Sequence, residues 1–524
     1  MKLRTIVKIA ITSSVVLLCS GFALYSFFRL SAAEGQKDFN LYELVPSTTL
    51  AVFVTDDVLE FVAEVDELTC SKNQQYLYVS KLFSYLKQSL YALSEDTPHG
   101  LSRQMNQMLI SFHEPDNERN QVLYCRLGNG DKELVNRFVR KYISSLYPPK
   151  TFVYKGEEII IYPMADGDFL ACYLTSDFMA LSFQKKLIEN VIDAYKSGKS
   201  LADDSTFTGI RAPKKSAAAA TIYTRMQGMM GWTEFDMKMK DDFIYFSGIT
   251  HDADTCFAFI NQLRQQQSVK GFPGEVLPST AFYFSRQGIT DWVSLLSYGN
   301  AQGQSVPART SEVQNRDKEF SRYLMENAGQ DLVACLFQRE DTLQGAAAVL
   351  SLSVADVTEA ERMLRALVNA ASADEGRRNP RITFCYTVNK AYPIYRLPQT
   401  TLFEQLTSFA EPTLDVYAAF YGGRLLLAPD ADALAHYIRQ LDKGEVLNGA
   451  MAYQTGMDHL SDSYHFMLMA DFDHIFQQSE NHVRFVPDFF LRNADFFRHF
   501  TLFVQFACAD GMVYPNIVLK YKSE

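Results

Sequence analysis

"LTSDFMALSFQKKLIENVIDAYKSGKSL", Leu174–Leu201, lies without a gap over "FYGGRLLLAPDADALAHYIRQLDKGEVL", Phe420–Leu447. Ile192 falls on Ile438, Gly198 on Gly444 and Leu201 on Leu447. In both stretches a strand-like run leads into an amphipathic helix, and a glycine follows the helix. That is where a left-handed C-cap is wanted, and glycine takes that backbone without strain. Shared helical periodicity can arise by chance. Shared caps in a shared order argue for one unit written twice.

The match extends outward. "ELVPSTTLAVFV" (Glu43–Val54) returns as "EVLPSTAFYFSR" (Glu275–Arg286), with Pro46 on Pro278. Helix-like segments follow each, Asp56–Val65 and Thr290–Ser297. "QVLYCRL" (Gln121–Leu127) and the helical Asp131–Leu146 answer to "AAVLSLS" (Ala347–Ser353) and the helical Thr358–Ala371. Each copy closes on an alternating hairpin, Phe235–Thr250 and Phe503–Tyr521, the second turning at Asp510-Gly511. A helix-like stretch, Ala253–Gln267, and the Gly/Pro-marked Gly271–Glu275 separate them. Most strand-to-strand links are too short for a parallel crossover. The expected fold is therefore α+β: two tandem repeats of a mostly antiparallel sheet with helices packed on one face, preceded by one N-terminal transmembrane helix. The expected units are residues 1–35 (cytoplasmic tip and anchor), 41–250 (first repeat), 251–275 (helical linker) and 276–524 (second repeat).

Composition narrows the function. The 524 residues are 47% hydrophobic and 21% charged, a globular balance. The net charge of −11 repels phosphate backbones, so nucleic acid is excluded as a partner. The short basic runs Arg211–Lys215 and Arg377–Arg381 read as loops. At the N-terminus Lys2, Arg4 and Lys8 precede an uncharged run, Ile9–Phe28, long enough to cross a bilayer as a helix. It reads as a signal-anchor in the cytoplasmic (inner) membrane, single-pass, with the bulk of the chain on the periplasmic or extracellular side. Cleavage after Ala33, in Ser31-Ala32-Ala33, is the other reading, whereas Leu18 before Cys19 argues against a lipoprotein. None of the eight cysteines forms a C-x-x-C pair, and Cys125, Cys172, Cys335, Cys385 and Cys508 lie in strand-like runs as small apolar residues.

The L-P-x-x-T-like opening strands and the segment Ser200-Leu201-Ala202-Asp203-Asp204-Ser205-Thr206-Phe207 resemble an uncharacterised bacterial family of membrane-anchored extracytoplasmic domains of unknown function. The second copy departs from the latter segment, reading Glu445–Tyr453. The resemblance implies an anchored, exported chain and brings no catalytic residues.

No P-loop, G-x-G-x-x-G, G-x-S-x-G or H-E-x-x-H occurs. Ser182-Phe183-Gln184-Lys185 fits S-x-x-K, but its companion motifs are missing. The pairs Asp56-Asp57, Asp203-Asp204 and Asp241-Asp242 sit at helix starts or turns, where carboxylates cap free N–H groups. The densest imidazole and carboxylate cluster is C-terminal: His436, Asp458-His459, Asp462, His465, Asp471, Asp473-His474, His482 and His499. Such groups suit a divalent metal, yet they spread over helix, loop and strand positions. No catalytic, cofactor-binding or metal-binding residue is assigned, and no cofactor is expected. The leading reading is a membrane-tethered, non-enzymatic binding or scaffold protein. Its partners would be the lipid bilayer through Ile9–Phe28 and other envelope proteins. Two alternatives are a module for a small or lipidic ligand held between the repeats, and a metal-dependent hydrolase using the Asp/His cluster.

Overall fold

The computed structural model describes residues 39–73, 105–114, 119–128, 131–139, 147–164, 167–211, 218–225, 231–250, 258–296, 311–339, 345–374, 382–388, 390–407, 413–478 and 486–522. The expected membrane segment Ile9–Phe28 lies outside them. Among the described residues no helix is long and apolar enough to cross a membrane.

The first half supplies β1 (Ala51–Thr55), β2 (Met108–Phe112), β3 (Gln121–Arg126), β4 (Lys150–Tyr154), β5 (Glu157–Pro163), β6 (Phe169–Leu174), β7 (Phe178–Ser182), β8 (Ala220–Thr224), β9 (Thr233–Lys240) and β10 (Phe243–Thr250). A short β11 (Val269–Lys270) follows. The second half supplies β12 (Ala281–Gly288), β13 (Ala328–Gln338), β14 (Ala346–Val354), β15 (Ile382–Tyr386), β16 (Ala391–Arg396), β17 (Tyr417–Tyr421), β18 (Arg424–Ala428), β19 (Ser463–Tyr464), β20 (Phe466–Asp471), β21 (Phe500–Ala509) and β22 (Met512–Tyr521). Among the described residues β11 and β19 pair apart from the rest, and the other twenty strands form one sheet. Every pairing in it is antiparallel, so the protein is α+β on a large antiparallel sheet.

Hydrogen bonding runs β4-β5-β6-β7-β3-β2-β1-β8-β9-β10 in the first half. It runs β15-β16-β17-β18-β14-β13-β12-β20-β21-β22 in the second. These are the same order. Short contacts repeat as well: the bridge Pro46 to Ser200 recurs as Pro278 to Val446. Leu201 N donates to Val45 O at 2.8 Å, and Leu447 N to Leu277 O at 2.9 Å. The halves join edge to edge through β10 and β22. In that joint Ser247 pairs with Asn516. Counted from the two hairpin turns, at Asp241-Asp242 and Asp510-Gly511, these are equivalent positions. A local pseudo-twofold axis therefore passes between them.

The expectation of helices on one face is corrected. Each half carries helices on both. In the first, Lys185–Ser197 and Ser205–Ile210 cover one face and Val58–Glu67 the other. In the second, Ala431–Asp442 and Met451–Met457 cover one face, and Ser311–Asn327, Val357–Asp374 and Leu402–Leu406 the other. The physical reason is written in the strands. "DLVACLF" in β13 and "AAVLSL" in β14 are apolar at nearly every position rather than at alternate ones, and a sheet wetted on one side would alternate. Leu332, Ala334 and Leu336 point to one core, Val333, Cys335 and Phe337 to the other.

Gly198 and Gly444 both take the left-handed conformation, with φ of 61° and 75°. Gly198 C-caps the helix Lys185–Ser197. Its replacement by alanine forces a Cβ into that region at a cost of about 1 kcal/mol. Urea unfolding of Gly198→Ala should show a midpoint lowered accordingly; an unchanged midpoint contradicts the cap.

Candidate functional site

The second half holds a cavity of about 250 Å³ where the starts of β12 and β21 meet the end of β20. Leu447, Ala450 and Tyr453 floor it from around the helix Met451–Met457, while Ala281, Phe282 and Met469 line it from the sheet. Asp471, His474 and Lys522 supply its titratable groups, and Ser279, Thr280, Gln338 and Thr501 its neutral polar ones. All of the lining belongs to the second half, not to the seam between halves.

Asp471 ends β20 and caps the helix Phe472–Phe476, accepting from Asp473 N at 3.1 Å and His474 N at 3.4 Å. Lys522 Nζ donates to its Oδ1 at 2.7 Å, and His474 Nδ1 lies 3.4 Å from its Oδ2. Burial pushes the Asp471 carboxyl up, but the contacts from His474 and Lys522 outweigh it and hold the group below the usual value. The same carboxylate raises the His474 imidazole above its ordinary pKa, against a smaller opposing effect of burial. Asp471 thus stands between the Lys522 ammonium and the His474 imidazole.

The equivalent place in the first half is full. The pairing of β1 with β8 and of β12 with β20 puts Arg225 at the position of Asp471. The β8–β9 and β20–β21 pairings put Trp232 at the position of Thr501. The helix N-caps Asp204 and Ala450 correspond, as do Thr49 and Ala281. Arg225 Nε donates to Thr49 O at 3.0 Å and its Nη2 donates to Ser47 O. The guanidinium lies 4.7 Å from the Trp232 ring centre and 3.6 Å from the Asp204 carboxylate. Trp232 is 1% exposed. Arginine, tryptophan, aspartate and threonine thus fill the space that aspartate, threonine, alanine and alanine leave open.

The other sequence candidates lie elsewhere. Ser182 is fully buried; its Oγ donates to Gln121 O at 2.8 Å and accepts from Gln184 N, while Lys185 pairs with Glu189. S-x-x-K here is a strand-to-helix joint. Asp57 accepts from Glu60 N at 2.9 Å, Asp203 from Ser200, and Asp241 turns a hairpin at φ 52°. His436 stands on the helix Ala431–Asp442. His459 packs 4.3 Å from Phe243. His465 Nδ1 accepts from Cys508 N at 3.1 Å, and burial lowers its pKa. His499 lies 6.2 Å from the Tyr521 ring, Asp462 accepts from Gly271 N, and Asp473 sits 3.7 Å from Arg498. His482 lies outside the described residues. Among the described residues of that cluster only Asp471 and His474 form an ion pair with each other, and no group of three described His, Cys, Asp or Glu side chains could hold a metal ion.

Sequence reading missed a second polar constellation. Asp331, 6% exposed, accepts from Arg286 Nε at 3.0 Å and from Arg424 Nη1 at 3.3 Å. Arg286 also donates to Gly271 O at 2.8 Å, and Arg424 to Ser351 O at 2.9 Å. The three residues are far apart in sequence and carry no motif; only the registers of β12, β13, β14 and β18 bring them together.

Fold and site define an α+β protein with one large antiparallel sheet and a cavity in its second half, between the start of β12 and the helix Met451–Met457. Residues 10–237 are similar to a family described as "Protein of unknown function (DUF3352)". That match runs from the uncharged N-terminal stretch into β9, so the cavity-bearing half lies beyond it. No curated protein and no solved structure matches the chain.

Proposed function

We propose that this is a membrane-tethered, extracytoplasmic binding protein made by internal duplication, in which the first copy (residues 41–250) follows the tether and the second (276–524) holds a ligand. Ile9–Phe28 would place it in the cytoplasmic membrane, with other envelope proteins as neighbours. The single observation that carries the reading is the difference between the copies. Where the first copy has Arg225, the buried Trp232 and Asp204, the second has Asp471, Thr501 and Ala450 lining a cavity. Concave, mostly apolar sites with a few convergent polar groups are what small ligands fill.

The test is thermal unfolding of the full chain against a chemically varied set of small molecules, beside Thr501→Trp, which restores the first copy's tryptophan. A true ligand at a hundredfold excess over its Kd stabilises the wild type by about 2.7 kcal/mol. It should leave Thr501→Trp unmoved. If no compound stabilises the wild type, or if both proteins respond alike, the cavity is not a binding site.

A further inference from the structure

We infer that the cavity of the second half takes a planar cation, a guanidinium group, held by the Asp471 carboxylate and by main-chain oxygens of Ser279 and Ala281. The inference rests on the reading of the cavity as a binding site and gives that site its chemistry.

The first half supplies the precedent. There the occupant of this space is built into the chain, and it is a guanidinium. Arg225 directs Nη2 and Nε to the carbonyls of Ser47 and Thr49, two residues apart. That is the spacing a planar fork of donors can span and a compact ammonium cannot. The equivalent residues of the second half, Ser279 and Ala281, follow a main-chain path with the same hydrogen bonds. Ser47 N and Ser279 N donate to Lys199 O and Glu445 O, at 3.3 and 2.8 Å, and Thr49 N and Ala281 N to Pro46 O and Pro278 O, both at 3.0 Å. Both line the cavity. The cradle is the same, but Asp471 stands where the first half has its arginine. Lys522 of the same chain meets that carboxylate from one side, so a guanidinium lying in the cradle itself would come from outside the chain.

Lys522 already shows that Asp471 attracts a cation. It meets Oδ1, comes from the end of β22 and is 30% exposed as a side chain. It is the competitor that an entering guanidinium displaces. This gives the hypothesis a sign. Removing Lys522 strengthens the binding of a cation and weakens that of an anion.

Binding of four probes to the full chain would be measured calorimetrically: n-propylguanidinium, n-butylammonium, propionate and indole. The expected result is saturable binding of n-propylguanidinium, tighter than that of n-butylammonium. Asp471→Asn, which keeps a capping side chain, should lose at least about tenfold, as expected for a hydrogen bond to a charged group. Lys522→Ala should bind more tightly, and Thr501→Trp should not bind. The capped peptide acetyl-Gly-Arg-Gly-amide separates two sources of the same chemistry. If it binds more tightly than n-propylguanidinium, the arginine of a partner chain is the natural occupant; otherwise a free guanidine is. Binding of propionate that weakens in Lys522→Ala, or of indole alone, overturns the cation and leaves the binding site standing. No binding of any probe to the folded wild type, by contrast, removes both.

Discussion

Asp331→Ala is expected to destabilise the second half by about 3–5 kcal/mol, the range for removing one partner of a buried ion pair and leaving the other charged. Two arginines make the loss severe. Arg286 and Arg424 flank Asp331 with side chains 16% and 13% exposed, and neither can give up its proton. Their remaining partners are carbonyl and hydroxyl oxygens, which orient the guanidinium groups without neutralising them. The chain has two tryptophans, one in each half, so Trp292, buried beside β12, reports on the half in question. Its fluorescence during urea unfolding should move to a lower midpoint in Asp331→Ala, and a loss below about 1 kcal/mol would show that the network contributes little. The pH dependence has a definite sign. Burial raises the Asp331 carboxyl, but Arg424, Ser353 and Arg286 together bring it below its ordinary value. A carboxyl lowered on folding adds stability that is fully present above its unfolded pKa of about 3.9. That stability is lost as pH falls through the lower folded value. The wild type should therefore weaken more steeply than Asp331→Ala on acidification from about pH 4 downward.

Trp232→Ala should cost the first half about 3–5 kcal/mol, the range for truncating a large buried aromatic side chain. The indole is packed against the Phe207 ring at 5.0 Å and under the Arg225 guanidinium at 4.7 Å, so both the apolar contact and the cation–π attraction disappear. Far-UV circular dichroism during urea unfolding measures the loss. The variant should also acquire what the second half has, a cavity at the same place in the fold. Added indole should then restore part of the lost midpoint, because an apolar cavity left by truncation binds the fragment that was removed. A small loss with no response to indole would mean that the first half closes over the gap, and the comparison of the two copies would lose its force.

Much of this architecture is legible in one dimension. Pro46 and Pro278, Gly198 and Gly444, and the two closing hairpins mark equivalent corners. Corners are legible because left-handed glycines, prolines and Asp-Gly turns are local demands of the backbone, independent of what packs against them. The short links likewise oblige the strands to run antiparallel. The tertiary structure alone decided three other things. That the copies join through β10 and β22 depends on which edges meet, and an edge strand carries no local mark of its partner. That helices lie on both faces follows from the unbroken burial of Asp331–Phe337 in β13 and Ala347–Leu352 in β14; the continuous apolar runs are compatible with it, but periodicity cannot separate a strand buried on both faces from an irregular one. The site was the least legible part. Asp471 and His474 stood among the sequence candidates, grouped with histidines that the fold disperses. Thr501, Ala450 and Ala281 are silent residues, meaningful only once the sheet register sets them against Trp232, Asp204 and Thr49. A sequence records the groups a chain possesses. A cavity is made by the groups it lacks, and only packing in three dimensions shows where side chains fail to meet.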